Sequence, residues 1–188
     1  MKGYEKPAKF RVERVYYSDG TEDRMYAKHH PYKTGPGRGA IHYRAYEGDR
    51  VIAVFSFKPP AYGAAIKVSP NDPHSVVSLS RMCAVPKEDR ETKHISKIMR
   101  KLWALLPEKY RIVVTYSDSS CGHTGYVYQC AGFTKEEVIY SKFYVDCVGD
   151  RVSCNTSGKR NPNAIYGGTC LLTRWTLRVR DESGARLH

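Results

Sequence analysis

Residues 111–133 read RIVVTYSDSSCGHTGYVYQCAGF, and this stretch decides the fold we expect. Residues 112–115 are mostly β-branched and have polar neighbours, which indicates a buried strand. Residues 117–120 interrupt that pattern with turn and N-cap side chains. Apolar and aromatic positions then return at helical spacing until Gly132 ends the helix. The stretch therefore predicts a strand, a polar turn and a short helix, and α/β proteins place ligand-facing groups on such turns.

The flanking segments continue this alternation of strands and helices. The most strongly patterned helix is predicted over residues 87–106, where Ile95, Ile98 and Leu102 belong to one apolar stripe and Pro107 follows. A hairpin with strands at residues 41–45 and 51–57 is expected because residues 47–49 supply a turn. We also expect strands at residues 9–17, 75–85, 137–148 and 169–179, a helix from residue 21, and a loop over residues 61–74. This order predicts one α/β domain with a mixed sheet.

The chain has 188 residues, enough for one domain with a sizeable core. We expect a single domain over residues 1–188, with its core at about residues 9–148. A basic strand region should occupy residues 149–180. The last residues, 181–188, are expected to form a flexible tail.

The charge of the chain points to a polyanionic partner. Lys and Arg number 31 against 19 Asp and Glu, which gives a net charge of +12. Such a surplus favours nucleic acid first and an anionic membrane surface second. We expect contacts to double-stranded DNA, although any single basic residue is more often a solvated surface charge. The candidate DNA-binding residues are Lys33, Arg38, Arg44, Lys159, Arg160 and Arg174.

Without an apolar span or a secretory signal in the sequence, we expect the protein to be cytoplasmic. No apolar run approaches the roughly 18 residues that cross a bilayer, and the first ten residues lack a secretory signal. The six cysteines include no Cys-x-x-Cys pair. We therefore expect neither a disulfide framework nor a structural zinc site. Exposed aromatic residues in the C-terminal strand leave room for a homodimer.

Several short motifs lie between residues 25 and 135. One is His29-His30-Pro31-Tyr32, and the others comprise Leu79, Ser80, Arg81, Ser96, Tyr116, Asp118, Gly122, His123, Gly125, Tyr128, Gly132 and Phe133. The order of elements resembles the GCN5-related N-acetyltransferase (GNAT) superfamily, and these motifs are similar to those of the Mom family of phage DNA-modification proteins. The first motif is similar to a His-Tyr element of that family, with a proline placed before the tyrosine.

For the fold, the resemblance implies a single GNAT-like α/β domain. Its mixed, mostly antiparallel sheet would have a V-shaped splay between two central strands and would be flanked by helices. Acetyl-CoA or a related donor would lie in the splay, with its pyrophosphate on backbone amides at the start of the helix over residues 87–106. The implied cofactor-binding residues are Met82, Cys83, Val85, Arg90, Lys93, His94 and Ser96. Lys93 and Ile95 stand where the usual Arg/Gln-x-x-Gly-x-Gly/Ala loop has small residues, so the donor could sit differently.

For the activity, the resemblance implies conversion of adenine in DNA to N6-carbamoylmethyladenine, which protects phage DNA from host restriction. The base would be extruded into a pocket, and Tyr32, Tyr43 and Tyr62 are candidates to stack on it. The alternatives are an ordinary acetyl-CoA-dependent N-acetyltransferase acting on a protein or small amine, and a non-catalytic DNA-binding module. The implied catalytic residues are His30, Tyr32, Asp118 and Tyr128.

Each candidate side chain also has a structural interpretation. Asp118 could cap the following helix as well as orient a substrate amine, and Tyr128 could be a buried core residue as well as a proton donor. His29, His30 and Asp118 could instead form a two-His-one-carboxylate iron site. A redox metal would be chemically reasonable because transfer of a carbamoylmethyl group is not ordinary acyl transfer.

Overall fold

A computed structural model of the protein describes residues 10–33, 35, 39–152, 155–156 and 159–187. Most of its strands form one eight-stranded sheet in the order β1-β2-β3-β4-β5-β10-β6-β7. The strands are β1 Phe10–Val15, β2 Ile41–Glu47, β3 Arg50–Lys58, β4 Val76–Ala84, β5 Ile112–Asp118, β6 Thr134–Val145, β7 Arg151–Val152, β8 Asn155–Thr156, β9 Lys159–Arg160 and β10 Ile165–Arg178. The helices are α1 Thr21–His29, α2 Tyr62–Val68, α3 Ile95–Trp103 and α4 Tyr126–Cys130. Strands β8 and β9 form a separate pair.

Strands β4 and β5 separate after three residue pairs. They run parallel and are paired only at Val76↔Ile112, Val77↔Val113 and Ser78↔Val114. Beyond this point β4 continues to pair with β3, and β5 pairs with β10. The other neighbouring pairs of this sheet are antiparallel. The predicted mixed, mostly antiparallel sheet with a V-shaped splay is therefore confirmed.

Helix α3 packs one apolar face against the sheet beside this splay. Ile98, Met99 and Leu102 are fully buried, and the Trp103 ring meets that of Phe133 edge-on at a centroid distance of 5.6 Å. Burying each such side chain contributes roughly 1.5–3 kcal/mol. This packing fixes α3 and the Gly132–Phe133 turn, and so holds α4 beside the splay.

Two predicted segments differ from the structure. The helix expected over residues 87–106 begins only at Ile95. The preceding residues form a 3-10 turn at Lys87–Asp89 and then an extended segment, where the amide N–H groups of Glu91 and Thr92 bond to the side chain of Glu47 rather than to helical carbonyls. The loop expected over residues 61–74 contains α2, because helix-forming residues follow the two prolines that precede it.

Within the described residues, no helix is long and apolar enough to cross a membrane. The chain end returns to the sheet: Leu187 donates its N–H to the carbonyl of Val179 at 3.1 Å. Arg180, which is buried, donates to the carbonyl oxygens of Tyr110 and Leu106 at 2.7 and 2.9 Å. The flexibility expected for residues 181–188 stays a prediction.

Candidate functional site

The splay opens into a cavity of about 600 Å³. One wall is formed by the part of β4 beyond its last pair with β5, and the other by the end of β5, the turn after it and α4. The segment that follows α1 contributes His30 and Tyr32. All four residues implied to be catalytic therefore line the same cavity: His30, Tyr32, Asp118 and Tyr128.

Asp118 ends β5 and joins the turn to the cavity. Its side chain is buried, with 4 % of the residue exposed. One carboxylate oxygen accepts from the backbone N–H and the hydroxyl of Ser120, at 2.9 and 2.6 Å. The other accepts from the Tyr32 hydroxyl at 2.7 Å. Asp118 therefore caps the turn and faces the cavity at the same time, whereas a role in orienting a substrate amine stays a prediction.

His30 is buried between two aromatic rings, those of Tyr26 and Tyr32. Its Nδ1 accepts the backbone N–H of Tyr32 at 3.1 Å. Burial, with smaller contributions from the charges of Arg81 and His123, lowers the pKa of His30 to about 4. At neutral pH the ring is uncharged, and with Nδ1 accepting, Nε2 carries the proton. His30 therefore offers the cavity a hydrogen-bond donor rather than a charge.

Arg81 is a site residue to which the sequence assigned no role. Its guanidinium lies over the Tyr32 ring, 4.7 Å from the ring centroid. Its Nε is buried and has no hydrogen-bond partner among the described residues, and burial lowers the pKa of Arg81. A cation held there would stabilise negative charge that develops in the cavity. The only signal in the sequence was its place in the Leu79-Ser80-Arg81 motif.

Tyr128 is both a core residue and part of the cavity wall. Its ring packs against Phe133 and Trp175 at centroid distances of 5.7 and 6.2 Å. Burial raises the pKa of Tyr128, and an interaction with Thr115 partly opposes the shift. The phenol stays protonated at neutral pH, so it can donate a proton or a hydrogen bond into the cavity.

The residues implied to bind the cofactor divide into two groups. Met82 and Cys83 line the cavity, whereas Val85 is a core residue whose N–H bonds to the carbonyl of Ile52 at 2.9 Å. Arg90 and Lys93 donate to backbone carbonyls of their own segment. His94 immediately precedes α3 and is exposed, and Ser96 in its first turn is buried. The candidate residues on β4 therefore face the cavity, whereas Arg90 and Lys93 in the loop before α3 bond to other parts of the chain.

The described residues give no support to the predicted iron site. No group of three His, Cys, Asp or Glu side chains within them is arranged to hold a metal ion. His30 and Asp118 line the cavity. His29 is half-buried and does not belong to the cavity lining.

The candidate DNA-binding residues have different surroundings. Lys33 is exposed and follows the cavity residue Tyr32 in the chain, but it does not itself line the cavity. Arg44 and Arg174 are buried and form ion pairs with Glu22 and Glu137, at 2.5 and 3.0 Å, so their placement favours structural roles. Arg38 lies outside the described residues. Lys159 and Arg160 lie on β9, but their side chains are also outside the described part of the chain.

The residues proposed to stack on a base are likewise dispersed. Tyr32 lines the cavity, whereas Tyr43 is a fully buried core residue. Tyr62 is 64 % exposed and lies on α2, among residues that line a different surface pocket. Tyr43 is therefore wrong as a stacking residue, because its ring has no surface to offer.

Comparison with known proteins identifies both a family and a fold. The model of the Mom protein family matches residues 9–161. A GNAT family acetyltransferase from Elizabethkingia anophelis, with acetyl-CoA bound, matches with a TM-score of 0.54 and 9 % identity over 90 % of this chain and 97 % of its own. The ribosomal-protein-S18-alanine N-acetyltransferase from Escherichia coli matches with a TM-score of 0.51 and 8 % identity over 93 % and 97 %. No curated protein matches in sequence. The fold is that of GNAT acetyltransferases, whereas the cytoplasmic location and the homodimer stay predictions.

Proposed function

This chain belongs to the Mom protein family, and we propose that it modifies DNA, converting adenine to N6-carbamoylmethyladenine and so protecting phage DNA from restriction. The observation that carries the proposal is the hydrogen bond of 2.7 Å between Tyr32 and Asp118 inside the cavity of the splay. These residues come from two separate motifs that resemble this family, and they meet at one point of one cavity.

The size and lining of the cavity support a flipped base as the substrate. A volume of about 600 Å³ lies within the usual range for small-ligand pockets, roughly 300–1,000 Å³. Enzymes that act on a base within duplex DNA extrude it into such a pocket and read its edge by hydrogen bonds. The net charge of +12 suits a DNA substrate.

In the proposed reaction, the residues of the chain orient the adenine and balance charge. The Asp118 carboxylate accepts from the N6 amine, and Tyr32 and Ser120 fix its orientation. Arg81 stabilises negative charge next to the Tyr32 ring. The protonated Tyr128 hydroxyl donates to the leaving group of the donor, which gains negative charge. A donor related to acetyl-CoA, lying along Met82 and Cys83, would supply the whole carbamoylmethyl group when bound. The bond from N6 to the methylene carbon would form as the bond between that carbon and the donor's leaving group breaks, the leaving group would take the electron pair, and the N6 proton would pass to Asp118.

The proposal is tested by the nucleosides of DNA from cells that express the protein. Plasmid DNA from a bacterial host should contain a deoxyadenosine species heavier by one carbamoylmethyl group. Asp118→Asn and Arg81→Met should abolish that species while remaining folded by circular dichroism. Only unmodified deoxyadenosine, in the presence of folded wild-type protein, would overturn the proposal.

The alternative is an acetyl-CoA-dependent N-acetyltransferase that acts on a protein or small amine. The splayed cleft favours it, because the acetyltransferases of similar fold share that architecture. Incubation of the purified protein with acetyl-CoA and a panel of amines would release free thiol if this alternative holds. Unmodified DNA together with thiol release would favour the alternative.

A further inference from the structure

Glu47, the last residue of β2, binds the segment that precedes α3. Its carboxylate accepts the backbone N–H of Glu91 at 2.9 Å and also that of Thr92. Thr92 is buried, and Glu47 is half-buried. Two adjacent amides that converge on a carboxylate form an anion-binding arrangement. In this protein the anion bound there is the carboxylate of Glu47.

According to the family resemblance, these amides lie in the segment that would hold the diphosphate of a coenzyme-A-type donor. Arg90 occupies the first position of the loop pattern, and Glu91 and Thr92 follow it. A phosphate oxygen and a carboxylate oxygen accept such N–H groups in the same way. Glu47 and a diphosphate cannot both accept these two N–H groups.

The basic side chains of the segment are also engaged internally. Arg90 donates from Nε to the carbonyl of Val85 at 3.2 Å and from a terminal nitrogen to that of Thr92. Lys93 donates from Nζ to the carbonyl of Lys87 at 3.0 Å. These bonds and the Glu47 contact close the loop without a ligand. Burial opposes ionisation of Glu47, but the N–H bonds from Thr92 and Glu91 outweigh it and hold the pKa of Glu47 below its ordinary value.

We propose that Glu47 competes with the diphosphate of a coenzyme-A-type donor for the loop before α3, so that the donor binds only by displacing it. The carboxylate thereby keeps the loop ordered when no donor is present and lowers the affinity for nucleotide-type donors. This inference rests on one part of the proposed function, namely that the donor is of the coenzyme-A type. It does not depend on DNA or on any chemical step.

The test is a binding measurement on the purified full chain without DNA. Glu47→Ala should bind acetyl-CoA at least about tenfold more tightly than wild type in isothermal calorimetry, because the cost of displacing a charge-assisted contact disappears. Glu47→Gln, which loses the charge but keeps an acceptor oxygen, should show a smaller gain. Pantetheine has no diphosphate and should bind all three proteins equally.

A matched control separates this competition from a general change of charge. Glu88 is exposed in the same segment, and no contact of its carboxylate with the loop amides is seen. Glu88→Ala removes the same charge and should leave acetyl-CoA affinity within about twofold of wild type. The proposal is overturned if Glu47→Ala and Glu47→Gln, both folded, bind acetyl-CoA no more tightly than wild type, or if Glu88→Ala gives an equal gain. Tighter binding together with unmodified plasmid DNA would refute the proposed function alone.

Discussion

The Tyr32 hydroxyl donates to the Asp118 carboxylate at 2.7 Å, across 86 positions of sequence. This bond joins the segment after α1 to the carboxyl end of β5, and both of its residues line the cavity of the splay. Because Asp118 is buried, loss of this donor would leave part of its charge without compensation. The bond thus links the stability of the fold to the geometry of the site.

Tyr32→Phe should reduce both activity and stability. A hydrogen bond to a charged group is worth about 1.5–3 kcal/mol, so we expect the free energy of unfolding in urea to fall by about that amount. Modified deoxyadenosine should fall at least tenfold, because Asp118 loses the group that orients it. Tyr17→Phe, at a residue that is 92 % exposed, is the control and should change neither quantity. If Tyr32→Phe produced as much modified deoxyadenosine as the wild type, a role for this bond in the reaction would be excluded.

Lys33 and Arg44, both predicted to bind DNA, should behave in opposite ways. Lys33 is exposed and directly follows the cavity residue Tyr32, so Lys33→Gln should weaken DNA binding and reduce the salt slope by about 0.9, because one DNA phosphate is no longer neutralised. The stability of the variant should equal that of the wild type. Fluorescence anisotropy at several salt concentrations measures the slope.

Arg44→Ala should instead unfold the protein at lower urea concentration. Arg44 donates to Glu22 through Nε at 2.5 Å and to Asp19 through a terminal nitrogen at 2.6 Å, and Glu22 is 1 % exposed. Removing one partner of a buried ion pair typically costs about 3–5 kcal/mol. A stable Arg44→Ala protein with weakened DNA binding would show that this arginine contacts DNA after all.

The sequence predicted strand β5 and its polar turn because their signals are local. β-branched residues and a run of turn residues specify that stretch without help from the rest of the chain. The start of α3 was wrong because it depends on Glu47, which is 44 positions from Glu91. The role of Arg81 was missed because its environment comes from Tyr32, on a different element. The local signals of secondary structure were readable, whereas contacts between distant segments needed the folded chain or a family resemblance.

Gly125→Ala should be far more damaging than Gly122→Ala. Both glycines have positive φ, +79° and +70°, so alanine at either position incurs the left-handed penalty of about 1–2 kcal/mol. A Cβ at Gly125 would lie 2.2 Å from the Trp175 ring, whereas nothing lies within 4 Å of one at Gly122. We expect Gly125→Ala to lose at least about 2 kcal/mol more in urea unfolding, as overpacking typically costs, and to shift α4, which carries Tyr128. If both variants lost the same free energy of unfolding, the Trp175 ring would have to move aside at little cost.

The burial of His30 predicts that stability depends on pH. Its pKa is about 4 in the folded protein, against 6.5 for an unperturbed side chain. Between these values the unfolded chain binds a proton that the folded protein does not, so stability rises with pH through this window. The contribution of His30 is fully present above about pH 6.5, is lost as the pH falls towards 4, and is on the order of 3 kcal/mol. His30→Gln has no titrating ring, so the free energy of unfolding measured in urea from about pH 4 to 7 should vary less than in the wild type. An identical pH dependence in the two proteins would contradict an uncharged, buried His30.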